Sequence, residues 1–278
     1  MHLILQILLT IFTLSVPVHV NVMCIDDTFP RASKYHLIEK CHRSKLGIAA
    51  KANYTSLASC QKFGREKNAL ALNFSPPEVD GSEPVHYTCE VLKCSEVEGG
   101  LSLENDTRYD YYSIYARPIP NINASCIPTA GMYQLLQKNL NHSTAAQQCR
   151  NMSGVLADAA SEQRTDALAQ LLAGASVYAA HVYMTRNNGS DFYSANGNSL
   201  KCTTYRAWAP GHPRRYPDKF GCVVLTRRRM WQSVSCSKPY PALCELFPGG
   251  PYKKGTIFTS KEHENDFSST IDNDSKFS

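Results

Sequence analysis

The sequence predicts an α+β protein closed by disulfides, and three observations predict it. Residues 222–244 hold Cys222, Cys236 and Cys244, spaced 14 and then 8 positions apart. Between them, residues 223–225 read as a buried strand, and Trp231 offers a large apolar body to a core. Upstream, Cys149 lies in Ser143-Thr-Ala-Ala-Gln-Gln-Cys-Arg, a short helical stretch with Ser143 as its expected N-cap. Nearer the amino terminus a second helical cysteine, Cys60, precedes one strand and then a strand carrying Cys89.

The amino-terminal half follows from local pattern. Residues 54–67 read as a helix capped by Thr55 or Ser56, with Leu57, Cys60 and Phe63 at inward spacing. Residues 69–74 and 85–92 read as strands. The run Tyr109-Asp-Tyr-Tyr-Ser-Ile-Tyr reads as a last strand with half-buried tyrosines; tyrosines beside acids are also candidates for sulfation. This order resembles the PAN or apple module over residues 24–118, and the resemblance implies a Cys60–Cys89 bridge. Gly64 stands where such modules usually carry a second cysteine. A small disulfide-held α+β domain outside any named family is the competing reading. Residues 119–124, with prolines just before and within them, read as an extended linker.

The second half is read in the same way. Residues 131–136 form a first strand, and residues 161–172 a helix with Glu162 near its start and Leu168, Leu171 and Leu172 facing inward. Residues 177–184 form a strand, and Phe192-Tyr-Ser-Ala-Asn-Gly a hairpin with Asn-Gly as its turn. Tyr205-Arg-Ala-Trp-Ala-Pro-Gly-His-Pro then opens a long loop, with Trp208 standing 14 positions before Cys222. With the cysteines, these residues resemble the C-type lectin-like domain over residues 125–247. The resemblance implies Cys149–Cys244 and Cys222–Cys236 bridges. Strand 177–184 lacks the Trp-Ile-Gly that the family usually keeps there. Cys126 and Cys202 fall outside both bridges, to pair with each other or with the amino-terminal set.

Sugar-binding members of that family hold calcium through Glu-Pro-Asn or Gln-Pro-Asp in the long loop, an acid before the third-last cysteine, and Asn-Asp after the tryptophan. Counted from Trp208 and Cys222, those places fall on His212-Pro213-Arg214, on Phe220 and on Gln232-Ser233. Calcium takes carboxylate and carbonyl oxygens. An imidazole, an aromatic ring and a guanidinium do not supply them, so neither a metal nor any cofactor is expected.

Charge is distributed unevenly. Residues 125–247 carry 13 Lys and Arg against 6 Asp and Glu, residues 1–124 carry 12 against 13, and residues 248–278 carry 4 against 5. The net +5 of the chain thus resides in the lectin-like unit. Arg206, Arg214, Arg215, Lys219, Arg227, Arg228 and Arg229 supply much of it, and arginine forks suit sulfate, phosphate or carboxylate. A Cys222–Cys236 bridge would bring the long loop near the Arg227–Arg229 turn. The alternative is a solvated run of arginines with no partner.

At 278 residues the chain has room for two modest domains and a terminal segment. Residues 1–22 read as a signal peptide: an apolar run from 3 to 16, without Lys, Arg, Asp or Glu, is short for a membrane span. No clear cleavage site precedes Cys24, so an uncleaved anchor is the alternative, and no stable membrane insertion is expected. Eleven cysteines behind a leader point to an oxidising compartment, and an odd number leaves one free or joined to a second molecule as a disulfide-linked dimer. Asn53, Asn73, Asn105, Asn123, Asn141, Asn151, Asn188 and Asn273 head glycosylation patterns. Residues 248–278 read as a disordered tail.

No nucleophile elbow, zinc-protease helix or phosphate loop occurs, which argues against an enzyme. The expectation is a secreted glycoprotein that binds an extracellular protein or anionic glycan without calcium, and not a nucleic acid. A structural component of extracellular matrix or cuticle is the second reading, and a conventional calcium-dependent lectin the third.

Overall fold

The structure is a computed structural model that describes residues 34–77, 85–100, 102–116, 119–120, 124–128, 130–186, 191–195, 197–216 and 218–246. The leader, Cys24, the tail, and the acceptors Asn123, Asn188 and Asn273 lie outside these residues.

The amino-terminal half contains β1 (His36–Glu39), β2 (His42–Ser44), β3 (Ile48–Ala52), α1 (Leu57–Glu66), β4 (Ala71–Phe74), β5 (Cys89–Leu92), β6 (Leu103–Asn105) and β7 (Asp110–Ser113). Five of the strands form an antiparallel sheet in the order β1-β7-β4-β5-β3, while β2 and β6 form a separate pair. Ser56 caps α1 by accepting the Ser59 N–H at 3.3 Å, and Cys60 on its inner face is bonded to Cys89 on β5. Gly64 is confined: a Cβ there would lie 2.6 Å from the Tyr35 hydroxyl, which donates to the Ala69 carbonyl. A second helix cysteine has no room at that position.

Two expectations change here. The strand of tyrosines is the last of this half in chain order, as expected, and sits in the sheet between β1 and β4, but Tyr109, Tyr111, Tyr112 and Tyr115 are all buried rather than half-buried, out of reach of a sulfating enzyme. Burial holds Tyr111 and Tyr115 protonated far above the usual phenol range and pushes Tyr112 up to about 12. Asn73 is 0 % exposed in β4, and its amide nitrogen donates to the Ser44 carbonyl and to Glu90. No glycan fits on it. Asn53, Asn105, Asn141 and Asn151 are exposed.

The second half contains β8 (Ala124–Ile127), β9 (Gly131–Leu140), α2 (His142–Asn151), β10 (Gly154–Leu156), α3 (Glu162–Gly174), β11 (Ala179–Thr185), a 3-10 turn (Leu200–Cys202), β12 (Cys222–Thr226), β13 (Trp231–Val234) and β14 (Tyr240–Leu246). Its sheet runs β13-β12-β11-β14-β9-β8, with β10 paired to β14. Asn141, not Ser143, caps α2: its side chain accepts the Thr144 N–H at 2.8 Å, and Ser143 donates to the same oxygen. α3 is tied to β14 by the Arg164–Glu245 ion pair and to Trp231 through Thr165.

Cys149 joins Cys244 and Cys222 joins Cys236, with sulfur separations of 1.99 Å in both. Cys126 joins Cys94 in the other half, Cys202 is also disulfide-bonded, and Cys41 is free and exposed. Within the segment read as a linker, one described residue is packed into the core. Ile119 is buried in a cluster that includes Tyr35, Cys60, Leu72, Tyr115, Met132 and Leu246, so the two halves share apolar packing. The Tyr115 hydroxyl accepts the Met132 N–H at 3.0 Å across the same junction.

Candidate functional site

The site is built where the long loop returns to the β12–β13 hairpin. Trp231 is fully buried, and the Trp208 ring packs edge-on against it at 5.5 Å. Backbone bonds from Trp231 N–H to the Ala207 carbonyl and from Ala209 N–H to the Trp231 carbonyl dock the loop entry onto β13. The two tryptophans thus fix where the next residues land.

Those next residues are the ones that counting from Trp208 and Cys222 assigned to the calcium-ligand positions implied by the resemblance. His212 Nδ1 accepts the Ser233 N–H at 2.9 Å and lies 3.1 Å from the Ser233 hydroxyl oxygen, which itself accepts the Arg214 N–H at 2.8 Å. Burial, with the Arg214 charge, pushes the His212 pKa down, so the ring stays neutral and able to accept. The donor set does not fit calcium. Its one ring acceptor and its hydroxyl are engaged within the protein, and the neighbouring side chain is a cation. Among the described residues no three His, Cys, Asp or Glu side chains gather as a metal would need.

Beneath this loop lies Arg186, which sequence reasoning did not single out. It follows β11, its backbone N–H bonds to the Gly221 carbonyl, and it is only 8 % exposed. One amino group donates to the Arg214 carbonyl at 2.7 Å, the guanidinium lies 4.8 Å over the Phe192 ring, and its buried Nε has no hydrogen-bond partner. Burial lowers its pKa, opposed only by Asp218. A buried guanidinium without a carboxylate at hydrogen-bond range is costly unless something else meets its charge.

The seven predicted cations separate into groups. Arg214 and Lys219 share the Phe220 ring, at 4.8 and 5.9 Å, and Arg215 stands exposed beside them with Tyr216, itself 72 % exposed. Arg206 is turned back on its own loop, donating to the carbonyls of Leu200, Thr203 and Tyr205. Arg227, Arg228 and Arg229 occupy the hairpin tip, where Arg229 lies 3.4 Å from Asp166 on α3. The register Cys222↔Val234 and Leu225↔Trp231 puts that tip at the far end of β12 from Arg214 and Lys219, about 16 Å along the strand. The bridge therefore does not bring all seven onto one surface.

His181 is fully buried between His142 and Tyr240, each ring 5.5 Å away and edge-on.

Residues 138–246 match the family model described as the Lectin C-type domain. Among solved structures, human lithostathine is similar at 17 % identity over 45 % of this chain and 98 % of its own, with a TM-score of 0.40. The cow C-type carbohydrate-recognition domain of CD23 is similar at 18 % identity over 46 % and 96 %, also at 0.40. A calcium-independent type II antifreeze protein is similar at 13 % identity over 44 % and 90 %, at 0.38. With the helix-to-strand bridge, the hairpin bridge and the tryptophan pair all in place, this chain carries a C-type lectin-like domain.

Proposed function

We propose that the chain is an extracellular recognition protein whose lectin-like domain holds an anionic glycan, without calcium, on the loop bearing Arg214, Arg215 and Lys219. The observation that carries this reading is Arg186. Its guanidinium is buried under the loop, short of a hydrogen-bonded carboxylate, and adds its charge behind three more exposed cations, with Asp218 the one acid acting on it. Arginine forks meet sulfate or carboxylate with paired hydrogen bonds. An acidic segment of a protein is the other carrier of the same charge.

The test is binding to heparin across a salt series, with and without a calcium chelator. Wild type is expected to weaken steeply as salt rises, because exposed charge pairs are screened, and to ignore the chelator. The triple reversal Arg214→Glu, Arg215→Glu, Lys219→Glu should cost at least tenfold in affinity, about 1.4 kcal/mol. Affinity indifferent to salt and to the reversal would overturn the reading.

A structural role in matrix is favoured by one separate observation: Cys41 is exposed and free in a chain whose other described cysteines are bonded. A covalent dimer on non-reducing gels, abolished in Cys41→Ser, supports that role, and a monomer removes it.

A further inference from the structure

A cavity lies in the amino-terminal half, against the five-stranded sheet. It has a volume of about 190 Å³ and is lined by Arg43, Lys51, His86, Tyr87, Glu90, Arg108 and Tyr109, with Val85 at its edge. The volume falls below the range of a drug-sized pocket, about 300–1,000 Å³. It suits one small polar group.

The charge arrangement in its wall is specific. Glu90 on β5 is 1 % exposed, and Arg43 grips it with both arms of its fork, Nε to Oε2 at 2.8 Å and Nη2 to Oε1 at 2.6 Å. Lys51 on β3 reaches the same Oε1 at 3.0 Å, and the Asn73 amide donates to Oε2. These donors outweigh the cost of burial and hold the Glu90 carboxyl below its ordinary range, so the group is charged. One carboxylate therefore faces two cations. Arg108 is paired with Asp106 and brings no net charge of its own. The cluster retains one positive charge beyond what its acids neutralise.

Donors are left over as well. Arg43 commits Nε and Nη2 to Glu90 and makes no bond through Nη1 to a described residue, while Lys51 commits one of three N–H groups. Both heads sit on aromatic rings, Arg43 4.8 Å over Tyr109 and Lys51 5.8 Å over Tyr87, which holds them in place beside the cavity. Their side chains are 22 % and 37 % exposed, so solvent-borne ligands reach them.

We propose that this cavity binds a small oxyanion, a sulfate or carboxylate group, either free or carried on a sugar ring, through Arg43 Nη1 and Lys51 Nζ with Tyr87 and Tyr109 as its walls. The site is separate from the loop of the lectin-like domain and does not depend on it.

The experiment is calorimetric titration of the full chain at constant ionic strength with four probes: sodium sulfate, glucuronate, glucose 6-sulfate and uncharged glucose. Saturable binding of sulfate or glucuronate in the millimolar range is expected, with none for glucose. Lys51→Met, which leaves Glu90 its Arg43 fork, should weaken binding about tenfold, the loss of one charge-assisted hydrogen bond. Lys51→Arg should restore it, and Arg214→Glu should leave it unchanged. Glucose 6-sulfate binding tighter than sulfate assigns the site to a sulfated sugar; equal affinity assigns it to the free anion. No saturation by either anion, or an unchanged dissociation constant in Lys51→Met, overturns the proposal. So does equal sensitivity to Arg214→Glu, which would place the anion on the other site.

Discussion

His142 and His181 show how single side chains set a condition for stability. His142 opens α2 and His181 lies in β11, and their rings meet edge-on with Tyr240 completing the stack. The carbonyls of Leu140 and Lys238 face His181 Nε2, and the Lys238 ammonium lies over the Tyr240 ring. Burial, then the neighbouring His181, pushes the His142 pKa down to about 4, and burial pushes His181 down too. Both rings stay neutral in the folded chain, while the unfolded chain takes up protons near pH 6.5. Stability is thus complete above pH 6.5 and falls as pH drops from there toward 4. The loss at the lower end is about 2 kcal/mol or more from His142 alone, at about 1.4 kcal/mol per unit. Urea midpoints between pH 7 and 4.5 check this, and His142→Gln should flatten the slope. The contact between the long loop and β13 was legible at this scale, because fixed spacings from Trp208 and Cys222 single out His212 and Ser233, which are hydrogen-bonded. Arg186 was not. Its meaning comes from Arg214, 28 positions away, and from Phe192, which no periodicity connects to it. Asn73 misled for a similar reason: a glycosylation pattern is short, and nothing local says that all four residues of β4 are buried.

Elements stapled by cysteine were the easiest to read. The β12–β13 hairpin announces itself through a continuous apolar run, a tryptophan and two half-cystines, and α2 through its cysteine. The strands β1 to β3 carried no such mark; His-Arg-Ser in β2 has no apolar residue, and only its pairing with β6 makes it a strand. The α2 cap was misplaced because Asn141-His-Ser-Thr offers more than one capping side chain, and backbone geometry decides between them: Asn141 has the extended conformation, φ −69° and ψ 162°. The two lectin-domain bridges differ in the loops they close, 95 residues for Cys149–Cys244 and 14 for Cys222–Cys236. Loop entropy assigns about 4.7 kcal/mol to a loop near the first length and about 3 kcal/mol to one near the second. Replacing each pair by alanine should therefore lower the denaturation free energy more for Cys149/Cys244. The reverse order, measured by urea unfolding, would show that hairpin packing rather than chain entropy dominates.

At the scale of the whole molecule, the two sheets are joined where the sequence suggested a spacer. Proline near an extended stretch reads as a linker, yet Ile119 packs with Tyr115, Met132 and Leu246, and Cys94–Cys126 crosses the same junction. Apolar burial shared between two halves makes each depend on the other, since exposing Met132 or Leu246 costs roughly 1.5–3 kcal/mol per side chain. One cooperative transition is the expected outcome. Two probes distinguish it cleanly. Both tryptophans, Trp208 and Trp231, lie against the carboxy-terminal sheet, while an environment-sensitive dye on the exposed Cys41 reports from between β1 and β2. Heated together, tryptophan emission and the dye should change at one midpoint, and Met132→Ala should lower both by the same amount, because its cavity of lost contacts, worth about 2–5 kcal/mol, belongs to the shared cluster. If the dye signal melts apart from the tryptophans, or only the tryptophan midpoint moves in Met132→Ala, the halves fold as independent bodies. The two proposed anion sites would then move independently rather than as fixed points on one body.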